Sequence, residues 1–271
     1  MGAIQEIFRQ FAPAYLERYG ESMPHEHRKV IEAICACRSE AFGSVCYRCE
    51  ACGHPHLVPA ACGNRHCPQC QHHKARLWLE RHLERQLPGH HFMLTFTVPE
   101  CVRAFLRSHQ RAGYAALFEA SSQAIKTLIA DPRFIGADQA GFFGVLHTWG
   151  RQLQYHHPIH YLVPGGALSS ADGVWQVSSL SFLLPVRALS KLFRAKFRHR
   201  MRVLGLEKLI PTESGSLGWN VNCQAVPNAE ASIRLPLAAG KRQGCFYLEP
   251  RNSPLLSPKC LQRIRHNTSK R

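Results

Sequence analysis

Two Cys-x2-Cys pairs, Cys49–Cys52 and Cys67–Cys70, stand with fourteen residues between them, and no other feature restricts the fold of this chain so tightly. Each pair spans a single tight turn that offers two thiolates to one point, and two such turns meet the tetrahedral preference of zinc. Gly53 after the first pair and Pro68 inside the second are residues that tight turns favour. The spacing predicts a structural zinc site on Cys49, Cys52, Cys67 and Cys70. Four protein thiolates leave no open coordination position, so a catalytic role for that ion is excluded. Zinc supplies on the order of 10 kcal/mol to the folding of such modules, so about one zinc per chain is expected, and Cys49→Ser should unfold residues 40–75. Cys46, Cys62, His54, His56 and His66 lie nearby as spare donors, whereas Cys35, Cys37, Cys101, Cys223, Cys245 and Cys260 have no paired spacing and read as small buried apolar residues.

The surrounding composition agrees with metal rather than disulfides. Eight of the twelve cysteines crowd between Cys35 and Cys70, and the start Met1-Gly2-Ala3-Ile4-Gln5-Glu6 has no signal-peptide character. No apolar run approaches the roughly 20 residues of a spanning helix, and a cytoplasmic protein is expected. Lys and Arg together number 34 against 18 acidic residues, a formal charge of +16. That balance favours a polyanion, nucleic acid first, over an acidic small molecule.

A second constellation is the histidine run. Leu146-His147-Thr148-Trp149-Gly150 precedes Tyr155-His156-His157-Pro158-Ile159-His160-Tyr161-Leu162-Val163-Pro164, which a Gly165-Gly166 turn ends. A strand sends residues i and i+2 to one face, so a His-apolar-His triplet would set two imidazoles beside one divalent cation. Here position 158, which shares a face with His160, is proline, while His157 points to the opposite face. His156 lies about 13 Å back along a strand that rises roughly 3.3 Å per residue. Weak metal binding is expected unless a bulge re-aims His157. The candidate ligands are His160 with His157 or His156, and His147 on the preceding strand is a weaker third.

These motifs resemble the HUH transposases of rolling-circle insertion sequences, of the two-tyrosine type with an N-terminal zinc-binding domain. The likeness rests on Arg48-Cys49-Glu50-Ala51-Cys52-Gly53-His54, on Arg65-His66-Cys67-Pro68-Gln69-Cys70-Gln71 and on the histidine run, and covers residues 1–234. The family reads Tyr-His-Pro-His-apolar-His where this chain has Pro158 and His157 exchanged. The resemblance implies an α+β fold: a small zinc-binding module followed by an RRM-like antiparallel-sheet palm with the histidine strand at its centre. It also implies single-stranded or hairpin transposon-end DNA as partner and Mg2+ or Mn2+ as the catalytic ion. Its nucleophile is a tyrosine, on a helix after the palm strands, that forms a 5′-phosphotyrosine.

Periodicity places the elements. Ile4, Ile7, Phe8 and Phe11, and again Val30, Ile31 and Ile34, recur at helical spacing, and 72–87 reads as a basic helix closed by Pro88-Gly89. Phe92, Leu94, Phe96 and Val98 alternate as a half-buried strand. Helices follow near 101–107 and 110–130, strands at 141–148, 158–163 and Val174–Val177, and a basic helix opens at Pro185 with Leu189, Leu192, Phe193 and Phe197 as its core stripe. The expected organisation is a zinc module over 1–88, a palm over 89–234 and a tail over 235–271. Arg65, Lys74, Arg76, Lys191, Arg194 and Lys196 are the expected DNA-binding cations.

The tail breaks the pattern. After Trp219–Val226, which resembles the family's last palm strand, and Asn228–Arg234, the approach to its catalytic helix, the chain runs Leu235-Pro236-Leu237-Ala238-Ala239-Gly240-Lys241, without a tyrosine. Residues 235–271 hold eight basic residues against one acid and no periodicity, as an out-of-frame and disordered segment would. Tyr247 is the only tyrosine after Tyr161, and nothing assigns it to a helix facing the histidines. No catalytic residue is therefore assigned, Tyr247 included. The expected protein is a transposase impaired in cleavage, or a DNA-binding remnant or repressor.

Overall fold

A computed structural model describes residues 3–87, 89–148, 155–226 and 247–248 of the 271-residue chain. The chain divides between His82 and Leu83 into two compact units.

The first unit opens with α1 (Ala3–Tyr19) and α2 (His25–Ala36). α1 continues through Pro13 and is longer than its apolar spacing alone indicates. α2 begins after Pro24, whose backbone is extended, and stops where Cys37 turns extended. Strands β1 (Ser44–Arg48) and β2 (Pro55–Pro59) form an antiparallel hairpin with Ser44 opposite Pro59 and Arg48 opposite Pro55. Helix α3 (Pro68–Glu84) follows. The unit's small core is Ile34, Cys37 and Cys67, with Phe8, Val30, Cys62 and Cys70 packed around it.

The second unit is built on a five-stranded antiparallel sheet. Its strands are β3 (His91–Thr97), β4 (Phe143–Leu146), β5 (Ile159–Pro164), β8 (Asn220–Val226) and β9 (Tyr247–Leu248), in the order β8-β3-β5-β4-β9. The fold is α+β, and β5, the histidine strand, lies at the centre as expected. α4 (Val102–Ser108), α5 (Gln110–Ile129) and α6 (Val186–Val203) supply the helical layer. β6 (Gly166–Leu168) pairs with β7 (Trp175–Val177) in a separate two-stranded sheet, so the strand expected at Val174–Val177 does not extend the palm.

Alternation decides the two faces of the large sheet. Phe92, Leu94 and Phe96 of β3 and Ile159, Tyr161 and Val163 of β5 point into the core with Phe118 and Ile125 of α5 and Leu189, Phe193 and Phe197 of α6. Tyr161 is the centre of this layer: Phe142, Phe96 and Phe118 surround its ring at 5.5, 5.8 and 6.4 Å between centroids, and its hydroxyl meets the Ser121 hydroxyl at 2.8 Å. Gly144 sits opposite Tyr161, where a Cβ would come within 2.4 Å of the ring. The opposite face is mixed: Thr95 and Thr97 of β3, His160 of β5, and Asn220, Asn222 and Gln224 of β8 share it with Met93, Leu162 and Val145. Among the described residues no helix is long and apolar enough to cross a membrane.

Candidate functional site

Four thiols of the first unit converge. The sulfurs of Cys37, Cys62, Cys67 and Cys70 all lie within 4.8 Å of one another, with Cys37–Cys70 and Cys62–Cys70 each at 3.5 Å. Zinc bound to four thiolates at about 2.3 Å needs sulfurs about 3.8 Å apart, so this donor set fits the ion. Three pieces of chain deliver it. The Cys67–Cys70 turn opens α3, Cys37 ends α2, and Cys62 follows β2 after Arg38 N–H bonds Ala60 O at 3.1 Å. Burial pushes the Cys37 and Cys62 thiols up. Burial raises Cys67 too, but N–H groups of Cys70 and Gln69 and the neighbouring thiols outweigh it and hold that thiol low.

The expected ligand set is corrected by half. Cys67 and Cys70 belong to the group, but Cys49 and Cys52 do not: both are exposed in the turn joining β1 to β2. The five-residue strands carry that turn about 16 Å from the hairpin base at roughly 3.3 Å per residue. Cys37, read from spacing as a small apolar residue, is a member, and so is the spare Cys62. The Cys62-x4-Cys67-x2-Cys70 spacing carried that signal for Cys62; nothing local marked Cys37. Gln5 of α1, 0 % exposed, also escaped sequence reasoning: its Nε2 donates to Ile34 O at 3.1 Å and Cys37 O at 2.6 Å, and its Oε1 accepts from Gln69.

In the second unit, His160 sits in the centre of the mixed sheet face. Its Nδ1 pairs with Thr95 Oγ1 at 3.0 Å, which directs Nε2 outward. His147, two residues beyond the partner of His160 on β4, brings its ring to 4.6 Å from that of His160. Burial holds His160 down to about 4, helped by His147 and His156, and the neutral imidazole is the ligating form. Burial also lowers His156, with Arg103 adding to it. His157 is the correction: its ring turns to the helical side, 3.9 Å from Tyr155 and 5.6 Å from Tyr114, and among the described residues neither ring nitrogen has a partner. His147 N–H donates to Pro158 O at 3.0 Å and His156 N–H to Thr148 O at 3.3 Å, so residues 156–158 stand against only 147–148, and this extra residue leaves His157 on the helical side. The three histidines near this face are thus His147, His156 and His160. Among the described residues only the four cysteines form a tight ligand group.

The expected DNA-binding cations divide. Lys74 and Lys191 are exposed, and neither they nor the half-buried Lys196 has an ion-pair partner among the described residues. Arg65 Nε donates to His66 Nε2 at 3.1 Å, and Arg76 pairs with Glu80 at 3.4 Å. Arg194 Nη1 donates to Gly215 O at 2.7 Å and ties α6 to the chain before β8. Tyr247 stands on β9, an edge strand, opposite Val145. The residues expected to approach a catalytic helix, Asn228–Arg234, and the tail outside Tyr247–Leu248, including Cys245 and Cys260, lie outside the described residues, as does Trp149-Gly150.

Comparison with known proteins gives these sites a context. Residues 7–98 match the family described as "Transposase zinc-binding domain", of the IS91 type, and residues 141–234 match the one described as "Putative transposase". "Putative transposase y4qJ" of Sinorhizobium fredii (strain NBRC 101917 / NGR234) is 39 % identical over 247 residues, which is 91 % of this chain and 60 % of that protein. "Transposase for insertion sequence element IS801" of Pseudomonas savastanoi pv. phaseolicola is 30 % identical over 158 residues, 57 % of this chain and 36 % of that protein. No solved structure matches. A cysteine-clustered helical module followed by a histidine-bearing antiparallel palm, together with these matches, defines a transposase with an N-terminal zinc-binding domain. The chain belongs to the IS91 family of HUH transposases, and it spans 60 % or less of the length of the relatives it matches.

Proposed function

We propose that this protein binds the single-stranded or hairpin DNA ends of its insertion sequence in the bacterial nucleoid. It would serve the rolling-circle reaction of its family, in which strands are cut and rejoined through a phosphotyrosine. The sheet face around His160 carries this reading. A neutral imidazole aimed by Thr95, with a second at 4.6 Å, is a start on a divalent-cation site, and the exposed amides of Asn220, Asn222 and Gln224 suit the same strand of DNA. His160, His147 and His156 would hold Mg2+ or Mn2+, whose chemistry is polarisation of the scissile phosphate. Zinc on Cys37, Cys62, Cys67 and Cys70 would hold the first unit folded.

Cleavage by this chain is impaired in this reading. Pro158 stands in the sequence where the family carries the second paired imidazole, and Tyr247 is on a strand rather than a helix. The same observation favours the second reading, a DNA-binding remnant or repressor without catalysis.

Two assays test this. Hairpin DNA should bind tightly at low salt while Mn2+ traps little covalent protein–DNA adduct; absence of DNA binding would refute both readings, and efficient trapping would refute impairment. The double exchange His157→Pro with Pro158→His puts an imidazole opposite His147 and should raise Mn2+ affinity about tenfold, one ligand being worth on the order of 1.4 kcal/mol or more. An unchanged affinity would remove the cation from this face.

A further inference from the structure

The turn at Cys49–Cys52 is built as a metal knuckle yet belongs to no complete site among the described residues. Cys49 N–H donates to His54 O at 3.0 Å, Gly53 N–H donates to Cys49 O at 2.8 Å, and Gly53 takes φ +72°, the left-handed conformation that closes such a turn. The Cys49 sulfur accepts the N–H groups of Cys52 and Ala51, three and two residues on. The Cys67 sulfur accepts those of Cys70 and Gln69, again three and two residues on. The two turns therefore share one hydrogen-bond pattern, and the second already sits inside a four-sulfur group.

What differs is the surroundings. Cys49 and Cys52 are exposed at the tip of a hairpin whose strands are exposed along almost their whole length. Among the described residues no third Cys, His, Asp or Glu completes a ligand group with them. Zinc takes four ligands, and two thiolates supply half of them. Doubling the half-site about a two-fold axis gives four sulfurs, because an isologous contact places the same patch of both copies together. The same hairpin carries apolar surface for such a contact, with Val45 50 % and Tyr47 59 % exposed on one face. Arg48, next to each Cys49, offsets the negative charge that four thiolates leave on a divalent ion.

We propose that Cys49 and Cys52 form half of a second zinc site, closed by the same two cysteines of a second copy of this chain. This inference is independent of the DNA reading. It requires three zinc ions per two chains: one in each four-sulfur group and one shared between hairpins.

The test uses the full chain, purified with zinc under a reductant so that disulfide-linked pairs do not score. Metal content and light-scattering mass are measured for the wild type and for Cys49→Ser/Cys52→Ser. The expected result is a dimer with 1.5 zinc per chain that becomes a monomer with one zinc per chain in the variant. A wild-type monomer overturns the proposal, whether it carries one zinc per chain or two, the latter meaning that the pair closes its site within one chain. A dimer that the variant leaves intact overturns it as well. Stepwise chelation of the wild type gives a readout that does not need the variant to fold. One zinc per two chains should leave first, with dissociation and unchanged far-ultraviolet circular dichroism; release of all zinc in one step with unfolding would contradict the shared site.

Discussion

A neutral imidazole has one N–H donor and one acceptor nitrogen, and His157 keeps both from water without a partner among the described residues while its ring packs at 3.9 Å on Tyr155. Each unsatisfied buried polar group costs about 1–3 kcal/mol, so His157→Phe should raise the unfolding free energy by about 1 kcal/mol. Equal or lower stability in urea titrations would mean that the ring has a partner in solution. His91, 3 % exposed, gives a pH dependence. Burial pushes its imidazole below the ordinary range, although its Nδ1–H donates to Gly89 O at 3.1 Å. The folded chain therefore holds His91 neutral while the unfolded chain protonates it near its usual value of about 6.5. Its contribution to stability is fully present above that pH and is lost as the pH falls below it. The Tm of His91→Phe should accordingly fall less than that of the wild type between pH 7.5 and 5. At this scale the sequence was legible where alternation decides direction: the His157 ring lies against Tyr114 and Tyr155, away from the face on which His160 meets Thr95. Thr95 was legible only as a polar position in a strand, because its partner lies 65 residues away.

At the scale of elements, the knuckle turns and strands were readable because their determinants lie within a few residues, whereas the grouping of the cysteines was not. A hairpin separates Cys49 and Cys52 from Cys62 in space though not in sequence, and the end of α2 brings in Cys37 from 25 residues before Cys62. The two sets should respond differently. Cys37→Ser removes a ligand from the buried group and should unfold the first unit, a loss on the order of several kcal/mol given zinc's contribution of about 10. Cys49→Ser should leave that unit folded, against the expectation from spacing. Proteolysis with circular dichroism distinguishes them, and equal damage from both would restore the Cys49–Cys52–Cys67–Cys70 set. α6 shows the same division among its cations. Arg198 and Arg202 pair with Glu207, Arg200 with Glu119, and Arg194 with a carbonyl, while Lys191 and Lys196 carry no such partner. Lys191→Ala with Lys196→Ala should weaken single-strand binding and reduce the log–log salt slope by about 0.7 per cation that contacts phosphate. Arg194→Ala should cost stability and leave the slope unchanged. An unaltered slope in the double variant would take DNA off this helix.

For the whole molecule, a formal charge of +16 supplies an attraction for nucleic acid that depends on no particular contact. Composition, periodicity and the short Cys and His motifs determined the class of this protein by themselves. Each is a property of neighbouring residues, and local spacing is enough to select a knuckle, a strand or an amphipathic helix. They established an α+β chain with a cysteine-rich module at its start and a positive net charge, while the palm with β5 at the sheet centre was what the family resemblance implied. Only the tertiary structure decided which four of the clustered cysteines share one point, that His147 rather than His157 stands beside His160, and which arginines are already engaged. Those outcomes depend on contacts between segments 25 or more residues apart, set by how strands pair and helices stack rather than by the order of residues along any one of them.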